Sequence, residues 1–373
     1  MEFKKLNILY IGTSLSGGGG VARIISQKTA AFVQAGHRVQ VVSTNDASSL
    51  PFYTFDRAVH FVWYKQPIRT LLQMKRYYDF INQEVVSNFQ PDVIIVVDNG
   101  IKGYCASYLL KTQAPIYFEV HGSRNFLLSP ITSKIKRVLV DRLTLALSKR
   151  FTGLILLNKS SAKDWQHRNV TVIPNWIEQE NTSVVPEKTH TKQILAIGRI
   201  VPEKNYEELL AIWREIQQLR PDWHLVICGT GEVGYVDTIK KIATDNVTWK
   251  GEVELIQQEI ENSAFVLHTS KMEGMPMAFL EAMALGVPVV AYDVPYGPAD
   301  LITSGIDGYL VPFGDQQRMV QCCLEFMDHP DVVRQFGEQA KQAVKTYDKS
   351  LVLQQWFSFL NSLDRFVVSN QFK

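Results

Sequence analysis

The chain has 373 residues, 46% of them hydrophobic and 20% charged, with 39 Lys+Arg against 37 Asp+Glu. Single hydrophobic cores stop growing at about 250–300 residues, so this length predicts two domains, and seven Trp in so apolar a chain exclude a disordered or collagen-like one. The near-neutral total hides two halves of opposite sign, 22 Lys+Arg against 10 Asp+Glu over residues 1–175 and 17 against 27 over the rest, which points to an anionic partner for the first half: a membrane surface, a nucleic acid or a phosphorylated substrate.

The N-terminus imitates a signal peptide, with Lys4-Lys5 ahead of the apolar residues 6–11. The apolar run is short, contains Asn7 and leads into a glycine-rich loop, so it reads as a first β-strand. No later run approaches the roughly 18–20 apolar residues that span a bilayer. Cys105, Cys228, Cys322 and Cys323 show no metal-ligand or CxxC spacing and read as reduced core residues of a cytoplasmic protein.

Taken in order, the strand candidates of the first half are residues 6–11, 38–43, 59–62, 93–97, 116–119, 153–156 and 171–173, with helical periodicity over 21–34, 68–88 and 131–149. The second half repeats the arrangement, with strands at 193–197, 224–228, 247–249, 265–268 and 287–291 and helices at 206–219, 255–262, 277–285 and 316–327. Apolar strands alternating with helices predict parallel sheets covered on both faces. The fold class is therefore α/β, with two doubly wound Rossmann-like domains facing each other and a ligand at the carboxyl ends of the strands. The polar stretch 178–191, carrying Pro186 where the charge changes sign, divides a first domain over 1–177 from a second over 192–348. Residues 349–373 form a last helix with Leu353, Trp356, Phe357, Leu360 and Leu363 at helical spacing, expected to return to the first domain.

The strongest chemical signal is KMEGMPMAFLEAMALGVPVVA at 271–291, where Glu281 is the lone charge between Glu273 and Asp293. A buried carboxylate in so apolar a helix needs strong partners. A buried cation or backbone donors would satisfy it, and so would a ligand diol such as a ribose. Pro276 is placed to open that helix. Ahead of it Glu273 stands in a loop where the amides of Gly274 and Met275 would form a docking place for an anion or polyol. In GRIVPEKN, Arg199 and Lys204 stand five residues apart across a turn after a strand, a spacing that suits two cations on one diphosphate but also occurs on ordinary surfaces. Two glycine-rich turns follow strands, residues 12–20 and GTGEVG at 229–234. The second fits GxGxxG without the acid that a nicotinamide site needs, and reads as a tight turn lining a nucleotide pocket. His121, after a strand in EVHGSRN, is either a ligand contact or a hydrogen-bonded structural histidine.

These segments together resemble the family-4 retaining GT-B glycosyltransferases, of the capsule, lipopolysaccharide and teichoic-acid type. EGMPMAFLEAMALGVPVVA is similar to that family's E-x7-E signature, and GGGGVAR, VIPNWIE, GRIVPEKN and ICGTGE fall in its order along nearly the whole chain. The resemblance implies a nucleotide-diphosphate-sugar donor, a UDP-sugar first, held by the second domain without a metal or other cofactor. Arg199 and Lys204 would meet the diphosphate, Glu281 the ribose, and Glu273 with Gly274, Met275, Pro276 and Met277 the sugar. His121 would stand near the sugar's 6-position, Gly18 and Gly19 near the β-phosphate, and Gly229 and Gly231 beside the nucleotide. A hexosyl or N-acetylhexosaminyl unit would pass to a glycan or lipid-linked acceptor with retention of configuration. Trp176, Glu178 and Asp300 depart from the usual pattern.

Residues 123–151 are basic and amphipathic, with Arg124, Lys134, Lys136, Arg137, Arg142, Lys149 and Arg150 among Ile131, Ile135, Val138, Leu139 and Leu143. This reads as a docking element for anionic lipid at the inner face of the cell membrane, or as an ordinary helix packed on its sheet. Three other functions fit two nucleotide-binding domains: an epimerase, a phosphorylase, and a non-catalytic sugar-nucleotide or nucleic-acid binder. No cofactor-lysine motif, RNP-type aromatic stretch or helix-turn-helix pattern supports the last two, so no nucleic acid is expected.

Overall fold

The central strands are runs rich in Val, Ile and Leu buried on both faces, as in Val93–Val97 and Gly153–Leu156. Residues of this kind stay in a strand only if neighbours pair on each side and helices cover each face. The computed structural model describes residues 4–13, 15–16, 19–44, 50–128, 131–178 and 191–363, and in it these strands assemble into two separate parallel sheets. Most of the interdomain stretch 178–191 lies outside the described residues.

The chain divides into two units, residues 1–173 with 353–373, and residues 174–352. The first unit holds β1 (Asn7–Thr13), β2 (Arg38–Thr44), β3 (His60–Tyr64), β4 (Val93–Val97), β5 (Ile116–Val120), β6 (Gly153–Leu156) and β7 (Val170–Val172) in the order β3-β2-β1-β4-β5-β6-β7. Every pair is parallel, with β1 in register with β2 at Tyr10↔Val41 and with β4 at Tyr10↔Ile95. The second unit holds β8 (Gln193–Ile197), β9 (His224–Cys228), β10 (Val247–Gly251), β11 (Phe265–His268), β12 (Val289–Asp293) and β13 (Gly308–Pro312) in the order β10-β9-β8-β11-β12-β13. In both sheets the chain runs outward one way from a central strand and then returns to run the other way. Such a reversal opens a crevice at the carboxyl ends of two strands, here β1 with β4 and β8 with β11, and ligands bind in these crevices.

Two local departures from the sequence reading have clear causes. The helix expected over 68–88 begins later, at Leu71–Phe80, where Thr70 and Gln73 form a capping box. It then loosens into a π-turn over Ile81–Val86, and there Asn82 donates from Nδ2 to the Leu109 carbonyl (2.9 Å) and accepts at Oδ1 from the Lys111 amide (2.8 Å). The strand expected over 287–291 starts two residues later, because Pro288 has no N–H for a central ladder and contributes only its carbonyl, to Val266 (3.0 Å). The helices Val233–Ile242 and Pro330–Ala343 and the strand β13 complete the second unit beyond the elements read from the sequence.

The last helix, Lys349–Ser362, lays its aromatic side on the first unit. Trp356 meets Phe32 of the helix Gly20–Gln34 edge-on (5.7 Å), Phe357 stacks on His37 (6.4 Å), and Phe359 meets Tyr117 of β5 (4.8 Å). Trp356, Phe359, Leu360 and Leu363 are all buried. Aromatic pairs of this kind each add about 0.5–1.5 kcal/mol beyond their area.

Candidate functional site

In the second unit the turn after β8 and the loop after β11 meet at the switch point. Gly198 (φ +147°) opens the first turn, and the Lys204 stem passes 3.8 Å from where a Gly198 side chain would stand. Thr269 Oγ1 donates to the Asn205 carbonyl (3.0 Å) and the Lys271 amide to the Glu203 carbonyl (2.8 Å), tying the two loops together. Lys204 Nζ consequently reaches Glu273 Oε1 in a direct ion pair. The same oxygen lies 2.7 Å from His268 Nε2 at the end of β11, and Ser270 Oγ lies 2.7 Å from that nitrogen. Burial alone would raise the Glu273 pKa, but the Lys204 ammonium and His268 overcome it and hold the carboxyl well below the ordinary range. Burial likewise lowers the His268 pKa, against the pull of Glu273. The result is an ionised glutamate, a partly exposed ammonium and a histidine poised at a strand end.

The glycines of the next turn have a steric reason. A Cβ on Gly229 (φ +156°) would stand 1.9 Å from the Gly198 carbonyl oxygen, and one on Gly231 would stand 2.1 Å from that of Ile200. The backbones run this close because the amide of Gly198 donates to the Cys228 carbonyl (3.0 Å) and that of Ile200 to Thr230 (2.8 Å). Gly229 and Gly231 are therefore bare where this turn packs against the Arg199 turn, whereas a Cβ on Gly234 would meet nothing within 4 Å. On the other flank, Met275 is buried and accepts at Sδ from the Asn175 amide (3.3 Å), so Asn175, within the same unit, holds this loop. Gly297 (φ +91°) approaches so closely that a Cβ would stand 2.8 Å from the Gly274 carbonyl oxygen and from Pro276 Cδ. Asp300 accepts from the Gly297 amide (3.3 Å) and so shapes this approach.

The expected site residues do not all behave alike. Lys204 and Glu273 come together, whereas Arg199 remains exposed on the same turn. Pro276 is the residue before the helix Met277–Ala284, not within its first turn, since its carbonyl accepts the Phe279 amide (3.1 Å). Glu281 corrects the sequence reading: it is only half-buried. The helix buries Phe279, Leu280, Ala282 and Met283, which turns Met277 and Glu281, one turn apart, onto its more open side. The apolar sequence around Glu281 is thus the core face of a short helix and does not enclose the acid.

In the first unit, Gly18 lies outside the described residues. Gly19 precedes the helix Gly20–Gln34 in extended conformation, and a Cβ there would meet nothing within 4 Å. His121 is hydrogen-bonded through Nε2 to Glu119 Oε1 (2.7 Å), and its ring is buried. Glu119 stands inside β5 with no exposure and also pairs with Lys28, whose ammonium lies 4.1 Å from the centre of the Trp356 ring. Burial works against the Glu119 charge, but Lys28 and His121 bring its pKa down to about 2. At the β1–β4 reversal, Asp98 pairs with Lys102 (2.5 Å), which also donates to Thr44 Oγ1 (2.7 Å).

Lys28, Glu119, Asp98, Lys102 and His268 were not singled out from the sequence. For Glu119 the signal was present, since IYFEV places a carboxylate in a strand buried on both faces, where an unpartnered charge is untenable. His268 offered no comparable signal.

Comparison with known proteins matches both units. The model for glycosyltransferase family 4 covers residues 18–181 and that for glycosyl transferases group 1 covers residues 178–343. The amylovoran biosynthesis glycosyltransferase AmsD of Erwinia amylovora is 25% identical over 372 residues, covering 96% of this chain and 99% of that protein. Anabaena HepE, solved in complex with UDP and glucose, aligns with a TM-score of 0.74 at 19% identity, over 96% of this chain and 100% of that one. A mutant of S. aureus TarM, solved with fondaparinux, α-GlcNAc-glycerol and UDP, aligns at 0.63 and 23% identity over 78% of this chain, which spans 58% of TarM's length. With the two family models meeting end to end across two Rossmann-like sheets, the chain belongs to the GT-B glycosyltransferases built from these two domains.

Proposed function

We propose that this glycosyltransferase moves a hexosyl or N-acetylhexosaminyl unit from a nucleotide-diphosphate sugar, a UDP-sugar first, to a glycan or lipid-linked acceptor, with retention of anomeric configuration, in making a cell-surface polysaccharide. The observation that carries this reading is the Lys204–Glu273–His268 group at the β8–β11 switch point. The names of AmsD and of the UDP complexes of HepE and TarM support the substrate classes. As the glycosidic bond to the donor breaks, negative charge builds on the departing diphosphate. Lys204 and Arg199 answer it as preorganised cations, usually the largest contribution to such a rate, and no metal ion enters this reading. Glu273 with the Gly274–Met277 backbone receives the sugar hydroxyls, and Glu281 the ribose. The test is a panel of nucleotide-diphosphate sugars in thermal shift, since a ligand of the native state raises stability by mass action, followed by NMR of the product anomer. A shift with UDP-sugars and a retained configuration are expected; no shift with any donor sinks the reading.

Beside the acceptor, this reading includes docking of the enzyme on an anionic lipid surface through residues 123–151. No helix of the described residues is long and apolar enough to cross a membrane. The helix Lys134–Ser148 instead leaves Ile135, Val138, Leu139 and Leu143 exposed by 76%, 51%, 60% and 48%, one stripe by helical spacing. Lys134, Lys136, Arg137 and Arg142 are exposed beside it. This is not the packed face that an ordinary surface helix would show. Flotation should recover the protein with anionic vesicles and much less with neutral ones; equal recovery removes this part.

A further inference from the structure

The strand β11 ends in His268, and the loop after it folds back so that Glu273 returns its carboxylate to that ring. Phe279 closes the other side edge-on, with ring centres 4.9 Å apart. Thr269 is pinned to the Asn205 carbonyl (3.0 Å), so the histidine's own strand end is fixed independently of Glu273. An ionised carboxylate only accepts hydrogen bonds, which places the imidazole proton on Nε2, pointing at Oε1. Among the described residues, Glu273 is therefore held by two side chains of different character. One is Lys204, a flexible ammonium with 22% of its side chain exposed; the other is His268, a planar ring with 8% exposed.

These two holders cannot serve equally once a donor binds. An ammonium that turns to a diphosphate no longer closes on Glu273, and a carboxylate this deeply buried then needs its remaining donor. We propose that His268 is a positioning residue that keeps the Glu273 carboxylate aimed at the donor sugar while Lys204 serves the diphosphate. The inference rests on the proposed function of this site. His268 acts through Glu273 and does not itself touch the donor.

The test is a double-mutant cycle in steady-state transfer kinetics, with folding followed by thermal melting. His268→Leu keeps the bulk against Phe279 and removes the donor, and should lower kcat roughly 10- to 100-fold with the donor KM within about threefold. His268→Gln, which can present an N–H near the Nε2 position, should recover most of that loss. Added to Glu273→Gln, His268→Leu should cost no more than about threefold further, because both act through one contact. Wild-type turnover in His268→Leu, losses that multiply in the double variant, or no recovery in His268→Gln overturns the proposal. Lys204→Ala in the same assay separates the two ideas. If it loses donor binding while His268→Leu is unaffected, the positioning role alone fails. If it keeps both binding and turnover, the site reading fails and this inference falls with it.

Discussion

Each unit carries a glutamate held between a lysine and a histidine at the carboxyl end of a strand, and the two groups differ in what covers the lysine. In the first unit Lys28 is 1% exposed beneath the Trp356 ring, and Glu119 has no exposure at all. In the second, the Lys204 side chain keeps 22% of its surface and nothing comparable to Trp356 lies over it among the ring contacts described. The same three residue types therefore serve different ends. A sealed pair is committed to the fold, because removing either partner strands a charge in a medium that cannot solvate it. A pair open on one side can exchange its partner for a ligand's charge at small cost. What distinguishes the two is a tryptophan supplied by the last helix of the chain.

The comparison can be broken most decisively at the sealed group. Lys28→Met should cost about 3–5 kcal/mol in chemical denaturation, and the double change Lys28→Met/Glu119→Leu should recover a large part of it. Equal losses in the two proteins would mean that the pair is not the source. At the open group, Lys204→Ala should lower transfer by roughly 10²–10³-fold while costing clearly less stability than Lys28→Met, because His268 still holds Glu273 and water reaches the site. A loss of stability as large as that of Lys28→Met would erase the distinction.

Titration probes the sealed pair more gently. Glu119 has a folded pKa of about 2 against an ordinary value of 4.5, so the unfolded chain binds its proton more readily. Its stabilisation is complete above the ordinary value and disappears as pH falls toward 2. The stability gap between wild type and Glu119→Gln should accordingly narrow between about pH 5 and pH 2.5; a gap that widens on acidification contradicts the assignment.

The smallest effects separate the two glycine-rich turns. Gly231→Ala must push a Cβ into the Ile200 carbonyl 2.1 Å away and should cost about 1–3 kcal/mol. Gly19→Ala meets open space and should cost no more than the roughly 1 kcal/mol of a weakened helix N-cap. Comparable losses at both positions would mean that the first turn, too, is closed by protein.

The regular architecture was legible along the chain because strands buried on both faces leave a continuous apolar signature. Val93–Val97, Gly153–Leu156, Gln193–Ile197, His224–Cys228 and Phe265–His268 stand where their composition places them. The site was legible in part. Lys204 and Glu273 were found through motif and loop position, but their pairing joins residues 69 apart in sequence, a contact that no local pattern encodes. Glu281 is half-buried despite its apolar neighbours, because an apolar neighbourhood in sequence is not an apolar surrounding in space. Helical geometry divides such a neighbourhood into a core side and an open side. Glu119 is the acid that is fully enclosed, since a strand in the middle of a covered sheet has no open side.

What the sequence by itself determined is the alternation of elements, the two-part division and the types of residue available at the strand ends. These follow from periodicity, from backbone restrictions at Gly and Pro, and from charge, all local properties of the chain. Only the tertiary structure decided which charges are partners and which of them water can reach. Those depend on what long-range packing lays over them, as Trp356 does over Lys28, and solvent access is set by the folded surface as a whole.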